Sequence, residues 1–194
     1  YGYDGRFTLY TQKTKTGITI RMVDEFYDSE EDAWWVEPLK HQKLVIIPPF
    51  LFDGKILVTL AAPIFFQGKA IGVYCTNLDV TSIQKTTESI PGTSKNNFKL
   101  FCTISGIIAA NGVDSSQILK NQFDIYPEFK TIFTQLQNND VIEWKSDASG
   151  LPLKFIFVPI ALKGVDEKWA FISATLVDTI TAPAKRVLVA TIIQ

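Results

Sequence analysis

The chain has 194 residues, with 19 Lys and Arg against 20 Asp and Glu and a formal net charge of -1. With 46% hydrophobic and 12% aromatic residues it can bury a core, which excludes a disordered chain. The balanced charge excludes a nucleic-acid surface, which needs an excess of cations, and no Lys/Arg run marks a membrane-surface patch.

The length suits one large domain or two of about 100 residues each. Two cysteines, Cys75 and Cys102, are too few for a Cys-x-x-Cys metal site. Both lie in apolar strand-like runs, where a cysteine is usually a small buried hydrophobe. No segment reaches the roughly 20 apolar residues that span a bilayer. The chain opens at Tyr1-Gly2-Tyr3-Asp4-Gly5 without an initiator Met and stops inside the apolar run Val187 to Ile193, so it reads as a piece of something longer.

In chain order, Arg6 to Tyr10 and Ile18 to Val23 read as strands around a polar turn at Lys13 to Gly17. Asp28-Ser29-Glu30-Glu31 offers a helix start, with Asp28 or Ser29 as cap and acids in the first turn. That helix would carry Trp34 and Trp35 and be disturbed at Pro38. Pro48-Pro49 is expected to end a short strand at Leu44 to Ile47. Lys55 to Phe66 and Ala70 to Leu78 are long strands joined at Gln67-Gly68-Lys69, and a helix follows at Val80 to Ser89. Pro91-Gly92-Thr93-Ser94 with Asn96-Asn97 is the strongest linker signal.

Beyond it, strands are expected at Lys99 to Ile104, Gly106 to Ala110, Val141 to Lys145, Pro152 to Leu162 and Lys168 to Val177. Tyr126 to Gln137 has helical spacing, with Phe129, Ile132, Phe133 and Leu136 on one face. Thr179 to Gln194 begins a final helix. Across these halves, Pro63-Ile64 and Gly68 recur in register as Pro159-Ile160 and Gly164, each set between two long apolar strands. Proline inside a strand belongs at an edge or a bulge. Its recurrence at one place points to two copies of one module.

The run Trp34-Trp35-Val36-Glu37-Pro38, then Val58 to Ile64, then Gln67-Gly68-Lys69-Ala70-Ile71-Gly72-Val73, closed by Asn77-Leu78-Asp79-Val80 and a helix, resembles the double Cache domain of bacterial chemoreceptors and sensor kinases. Asp4-Gly5-Arg6-Phe7 fits the same pattern. The resemblance implies an α+β fold of two tandem PAS-like modules, each an antiparallel sheet flanked by helices, with the long N-terminal helix truncated or absent. It implies a membrane-distal, ligand-binding module at residues 1–90 and a membrane-proximal module at 91–194 leading to a second transmembrane helix. It further implies a periplasmic or extracellular location in a membrane-anchored receptor, homodimeric at full length, with a small-molecule ligand and no cofactor.

Relatives that bind amino acids carry Tyr, four residues, Arg, one residue, Trp and an aromatic, plus a later Asp on the last long strand. Here Tyr27, Asp32, Trp34 and Trp35 keep that spacing, with Asp32 in place of the Arg, and Asn77 stands where the strand Asp would be. An Asp repels the carboxylate that a guanidinium would bind through two hydrogen bonds. Asn77 can donate and accept but carries no charge. The expected ligand is therefore a small amine, or an amino-acid-like molecule, cradled by Tyr27, Asp32, Trp34, Trp35, Tyr74, Asn77 and Asp79, with aromatic faces for the cation. Strand alternation puts Val73, Cys75 and Asn77 on one face.

Plainer readings stand beside these. Trp34 and Trp35 can be core and rim, and Asp28 to Asp32 a solvated helix start or a weak Ca²⁺ cluster. The whole can be a ligand-free interaction module sensing through a binding protein, or the sensor of a neutral ligand for a histidine kinase. Catalysis finds no support: His41 is the only histidine, Ser105-Gly106 and Ser149-Gly150 lack a nucleophile elbow, and no glycine-rich phosphate loop is present.

Overall fold

The computed structural model describes residues 8–23, 32–136, 141–146, 152–165 and 167–182. Its architecture is α+β, with every strand pairing antiparallel. Strands β1 (Thr8–Thr14) and β2 (Gly17–Val23) form a separate two-stranded hairpin. Helix α1 (Ala33–His41) precedes a three-stranded sheet in the order β3 (Val45–Phe52), β4 (Lys55–Phe66), β5 (Lys69–Asp79). Helix α2 (Thr81–Ser89) follows, and then the strands β6 (Asn97–Thr103), β7 (Ile108–Asn111), β8 (Ile142–Ser146), β9 (Leu153–Ile160) and β10 (Trp169–Leu176). These last make a five-stranded sheet ordered β7-β6-β10-β9-β8. A 3-10 turn (Ser115–Gln117) and helices α3 (Gln122–Ile125) and α4 (Phe129–Leu136) lie between β7 and β8.

The expected strands and the helix after β5 are present, and the differences have local causes. Pro38 lies buried inside α1 without ending it, and the helix stops at Gln42, whose φ is 55°. Pro48-Pro49 does not end β3. The strand continues to Phe52 with its register shifted between Ile47 and Phe50, so the prolines occupy a bulge on an edge strand, where a missing N–H breaks no ladder bond. The proposed cap at Asp28 or Ser29 lies outside the described residues; the described helix begins after Asp32, whose carbonyl accepts from Trp35 and Val36 N–H at 2.8 and 3.0 Å. Cys75 is exposed rather than buried, while Cys102 is fully buried, and both thiols are free.

The recurrent prolines occupy matching places. Pairing of β4 with β3 ends at Ala61, and pairing of β9 with β8 ends at Phe157. Pro63 and Pro159 each lie two residues further, where the neighbouring strand has run out and no N–H is called for. Gly68 and Gly164 both take positive φ, 78° and 85°. The connections differ: β4 and β5 are joined by the two-residue turn Gln67-Gly68, whereas β9 and β10 are separated by 161–168.

Two cores result. In one, Phe129, Ile132, Phe133 and Leu136 of α4 pack on Phe155 and Phe157 of β9 and Leu100, Ile172 and Ala174 of the neighbouring strands. Phe129 meets Phe157 edge-to-face at 4.8 Å and Phe155 at 5.0 Å, geometry favoured by the ring quadrupoles. The other joins the sheets: Ile46 and Val58 of the first meet Ala109 and Trp169 of the second, with Val80 at the start of α2 between them.

Candidate functional site

The turns Asp53-Gly54 and Gln67-Gly68 each place two successive residues at positive φ, the geometry that suits the twist of a tight hairpin. They fix the register of β3, β4 and β5, and register decides which side chains share a face. Val58 pairs with Leu78, Leu60 with Thr76 and Ala62 with Tyr74; Thr59 pairs with Asn77 and Ala61 with Cys75. The Val58 side meets the second sheet through the joint core. On the opposite side Leu57, Thr59 and Ala61 are also buried, and α1 packs on β3, β4 and β5.

This geometry divides the candidate ligand residues. Asn77, exposed, lies on the Thr59 side, where its Oδ1 accepts the hydroxyl of Thr59. Thr59 is 1% exposed, a buried polar group whose hydrogen bond fixes the Asn77 amide. Trp34 and Trp35, in the first turn of α1, are half-buried and meet edge-to-face at 6.0 Å. Asp32 is half-buried at the N-terminus of the same helix. Tyr74 stands on the other face of β5 and is 66% exposed. Asp79 ends β5 and accepts from the Thr81 N–H at 2.8 Å at the start of α2; that hydrogen bonding, with the Thr81 hydroxyl's, holds its carboxyl below its ordinary value. Tyr27 lies outside the described residues.

Thr59 was legible only as a polar interruption of an apolar strand; its partnership with Asn77 needs the register. A cleft of about 390 Å³ lies beside α1 and β3. Ala33, Glu37 and His41 of α1 line one wall, residues 43–48 another, and Val165 and Glu167 of the β9–β10 connection a third. None of the described candidate residues lines it. His41 is exposed and its Nε2 lies 3.0 Å from Glu37 Oε2, an i,i+4 pair on the helix surface. Among the described residues, no group of three or more His, Cys, Asp or Glu is placed to hold a metal, and no helix is long and apolar enough to cross a membrane.

The α+β fold of antiparallel sheets is the fold of Cache-type, PAS-like domains, as seen in solved extracellular and periplasmic domains of chemoreceptors and a histidine kinase. More particularly, residues 1–85 match the family described as methyl-accepting chemotaxis protein-like, first PDC sensor domain. Among solved structures, methyl-accepting chemotaxis protein X is 18% identical, with a TM-score of 0.66 over 89% of this chain and 64% of that one. The ligand-binding domain of the Pseudomonas aeruginosa PAO1 amino acid chemoreceptor PctC, solved with GABA, is 18% identical, with a TM-score of 0.60 over 86% of this chain and 73% of that one. The periplasmic sensory domain of the Campylobacter jejuni chemoreceptor Tlp1 is 17% identical, with a TM-score of 0.60 over 84% and 65%. The chain thus spans about two thirds of the length of such domains. No curated protein sequence matches it.

Proposed function

We propose that this chain is the extracytoplasmic small-molecule sensor of a membrane-anchored signalling receptor, with residues 1–90 holding the ligand and 91–194 relaying its presence. The carrying observation is the Thr59–Asn77 pair on the first sheet together with the edge-to-face Trp34–Trp35 pair on α1, a helix packed on that sheet. An amide held by a buried hydroxyl and an aromatic pair on a neighbouring helix are the ingredients of a polar anchor and a π wall, the composition of a small-ligand site. Tyr74 and Asp79 take no part in this reading, since Tyr74 occupies the far face and Asp79 is engaged with α2.

The charge count favours an amine over an α-amino acid. Asp32 sits at the N-terminus of α1, where its own carboxylate already answers the helix dipole, so an arriving carboxylate meets a like charge. Asn77 supplies hydrogen bonds without charge. A cation gains from Asp32 and from the indole faces, each cation–π contact contributing about 0.5–2 kcal/mol. The sensing role rests on binding, with no reacting group required.

Calorimetric titration with phenethylammonium, phenylalanine and 2-phenylethanol tests this reading. The amine should bind most tightly, and Trp34→Ala should weaken it about tenfold, equivalent to about 1.4 kcal/mol. Tight binding of phenylalanine with no response to the amine would defeat the charge argument. Equal stabilisation of wild type and Trp34→Ala by the amine would remove this face as the site.

A further inference from the structure

We propose that the cleft between α1, β3 and the β9–β10 connection is a second binding site, for a small organic monocation with an apolar body. The proposal goes beyond the sensing face, because the cleft is lined by none of that face's described candidate residues.

Its size and lining set the class of ligand. About 390 Å³ falls within the roughly 300–1,000 Å³ of small-molecule sites. Leu44, Ile46, Ile47 and Val165 give it an apolar floor. Of its charged groups, Glu37 is already paired, with His41 at 3.0 Å and Lys40 at 3.9 Å. Lys43 has interactions of its own. Glu167 differs. Among the described residues no cation pairs with it, and burial alone pushes its carboxyl above the ordinary value, with no neighbouring charge drawing it back. A half-buried carboxylate without a counter-charge lacks one positive charge, which an ammonium ligand supplies. An anion would meet both glutamates, and a neutral ligand would leave Glu167 uncompensated.

The location gives the site a consequence. Ile46 and Val165 both belong to the core shared by the two sheets, so an occupant touches both halves of the chain at once. Binding there stabilises the arrangement in which α1, β3 and the second sheet enclose it.

The test is calorimetric titration of the chain with cyclohexylmethylammonium and, as its neutral match, cyclohexylmethanol. Saturable binding of the amine is expected, at least about tenfold tighter than the alcohol. Glu167→Gln, which keeps the shape and removes the charge, should weaken the amine about tenfold and leave the alcohol unchanged. Val165→Phe, which fills the cleft, should abolish the binding that depends on Glu167, and Trp34→Ala should leave that binding intact. Should Val165→Phe fail to fold, the Glu167→Gln comparison still decides. Unchanged affinity in Glu167→Gln, equal binding of the alcohol, or no saturable binding at millimolar amine overturns the proposal. Loss in Trp34→Ala but not in Glu167→Gln assigns the amine to the α1 face instead and also overturns it.

Discussion

The two sheets carry the same Pro-Ile-x-x-x-Gly hairpin signature and put it to different uses. In the second sheet every strand but the outermost has two neighbours, β9 buries Leu153, Phe155 and Phe157 in strict alternation, and α4 closes the face. Numbered by their place in that half, its strands run second, first, fifth, fourth, third. The first sheet contains only the third, fourth and fifth of such a set, the hairpin β1–β2 standing apart. Its hairpin end exposes Ile64, Phe65, Phe66 and Ile71, and Tyr74 and Leu78 stand open along β5. One half is a scaffold whose core closes on itself, and the other has spare apolar surface and a polar pair on its far face. A segment with fewer buried apolar contacts is expected to open more readily than one whose core is closed.

That contrast is strongest at Phe129. It is fully buried against Phe155 and Phe157, so Phe129→Ala should cost about 3–5 kcal/mol in urea unfolding, a large fraction of the roughly 5–15 kcal/mol that holds a domain folded. A loss under about 1 kcal/mol would mean that the second half is not the scaffold.

Asp79→Ala comes next, at about 1 kcal/mol, because it removes the acceptor for the first N–H of α2. The carboxyl is held below its ordinary value of 3.8 in the folded chain, so its contribution is fully present above that value and is lost as pH falls through the lowered folded one. The difference between wild type and Asp79→Ala should therefore shrink on acidification below pH 3.8. A difference that persists unchanged at lower pH would show that the carboxylate is not the capping group.

The smallest effect is expected at Phe66, 61% exposed at the hairpin tip. Phe66→Ser should change stability by no more than about 0.5 kcal/mol. A larger loss would show that the tip is covered in solution, and would narrow the contrast between the sheets.

Most of the strands were legible because their apolar runs are long and end at glycine turns, as at Gln67-Gly68. The face of α4 was legible residue by residue, since Phe129, Ile132, Phe133 and Leu136 repeat at helical spacing and all four are buried. The passage of α1 through Pro38 and of β3 through Pro48-Pro49 was not, because local rules mark proline as a stop and tertiary packing supplied a buried helix turn and an edge bulge instead. The short α3 was missed for want of a period: Gln122–Ile125 is a single turn held by the Asn121 side chain accepting from Phe123 N–H. At the site, alternation correctly grouped Cys75 with Asn77, yet Tyr74 was grouped with them by kind of residue and stands on the opposite face. Glu37 and Glu167, 130 positions apart, meet at one cleft only through the packing of the two halves.

The junction after β5 has a mechanical meaning. Gln84 of α2 uses its side-chain amide as if it were a piece of strand: its Nε2 donates to the Asn111 carbonyl at 2.7 Å and its Oε1 accepts the Asn111 N–H at 2.8 Å. The helix is thereby stitched to β7, the outer strand of the second sheet, within one turn of its start, which follows Asp79 of β5 by two residues. The last strand of the first sheet and the outer strand of the second are therefore joined by a short covalent step and a pair of directed bonds, a splice with a defined orientation where apolar packing alone would leave the two sheets free to slide.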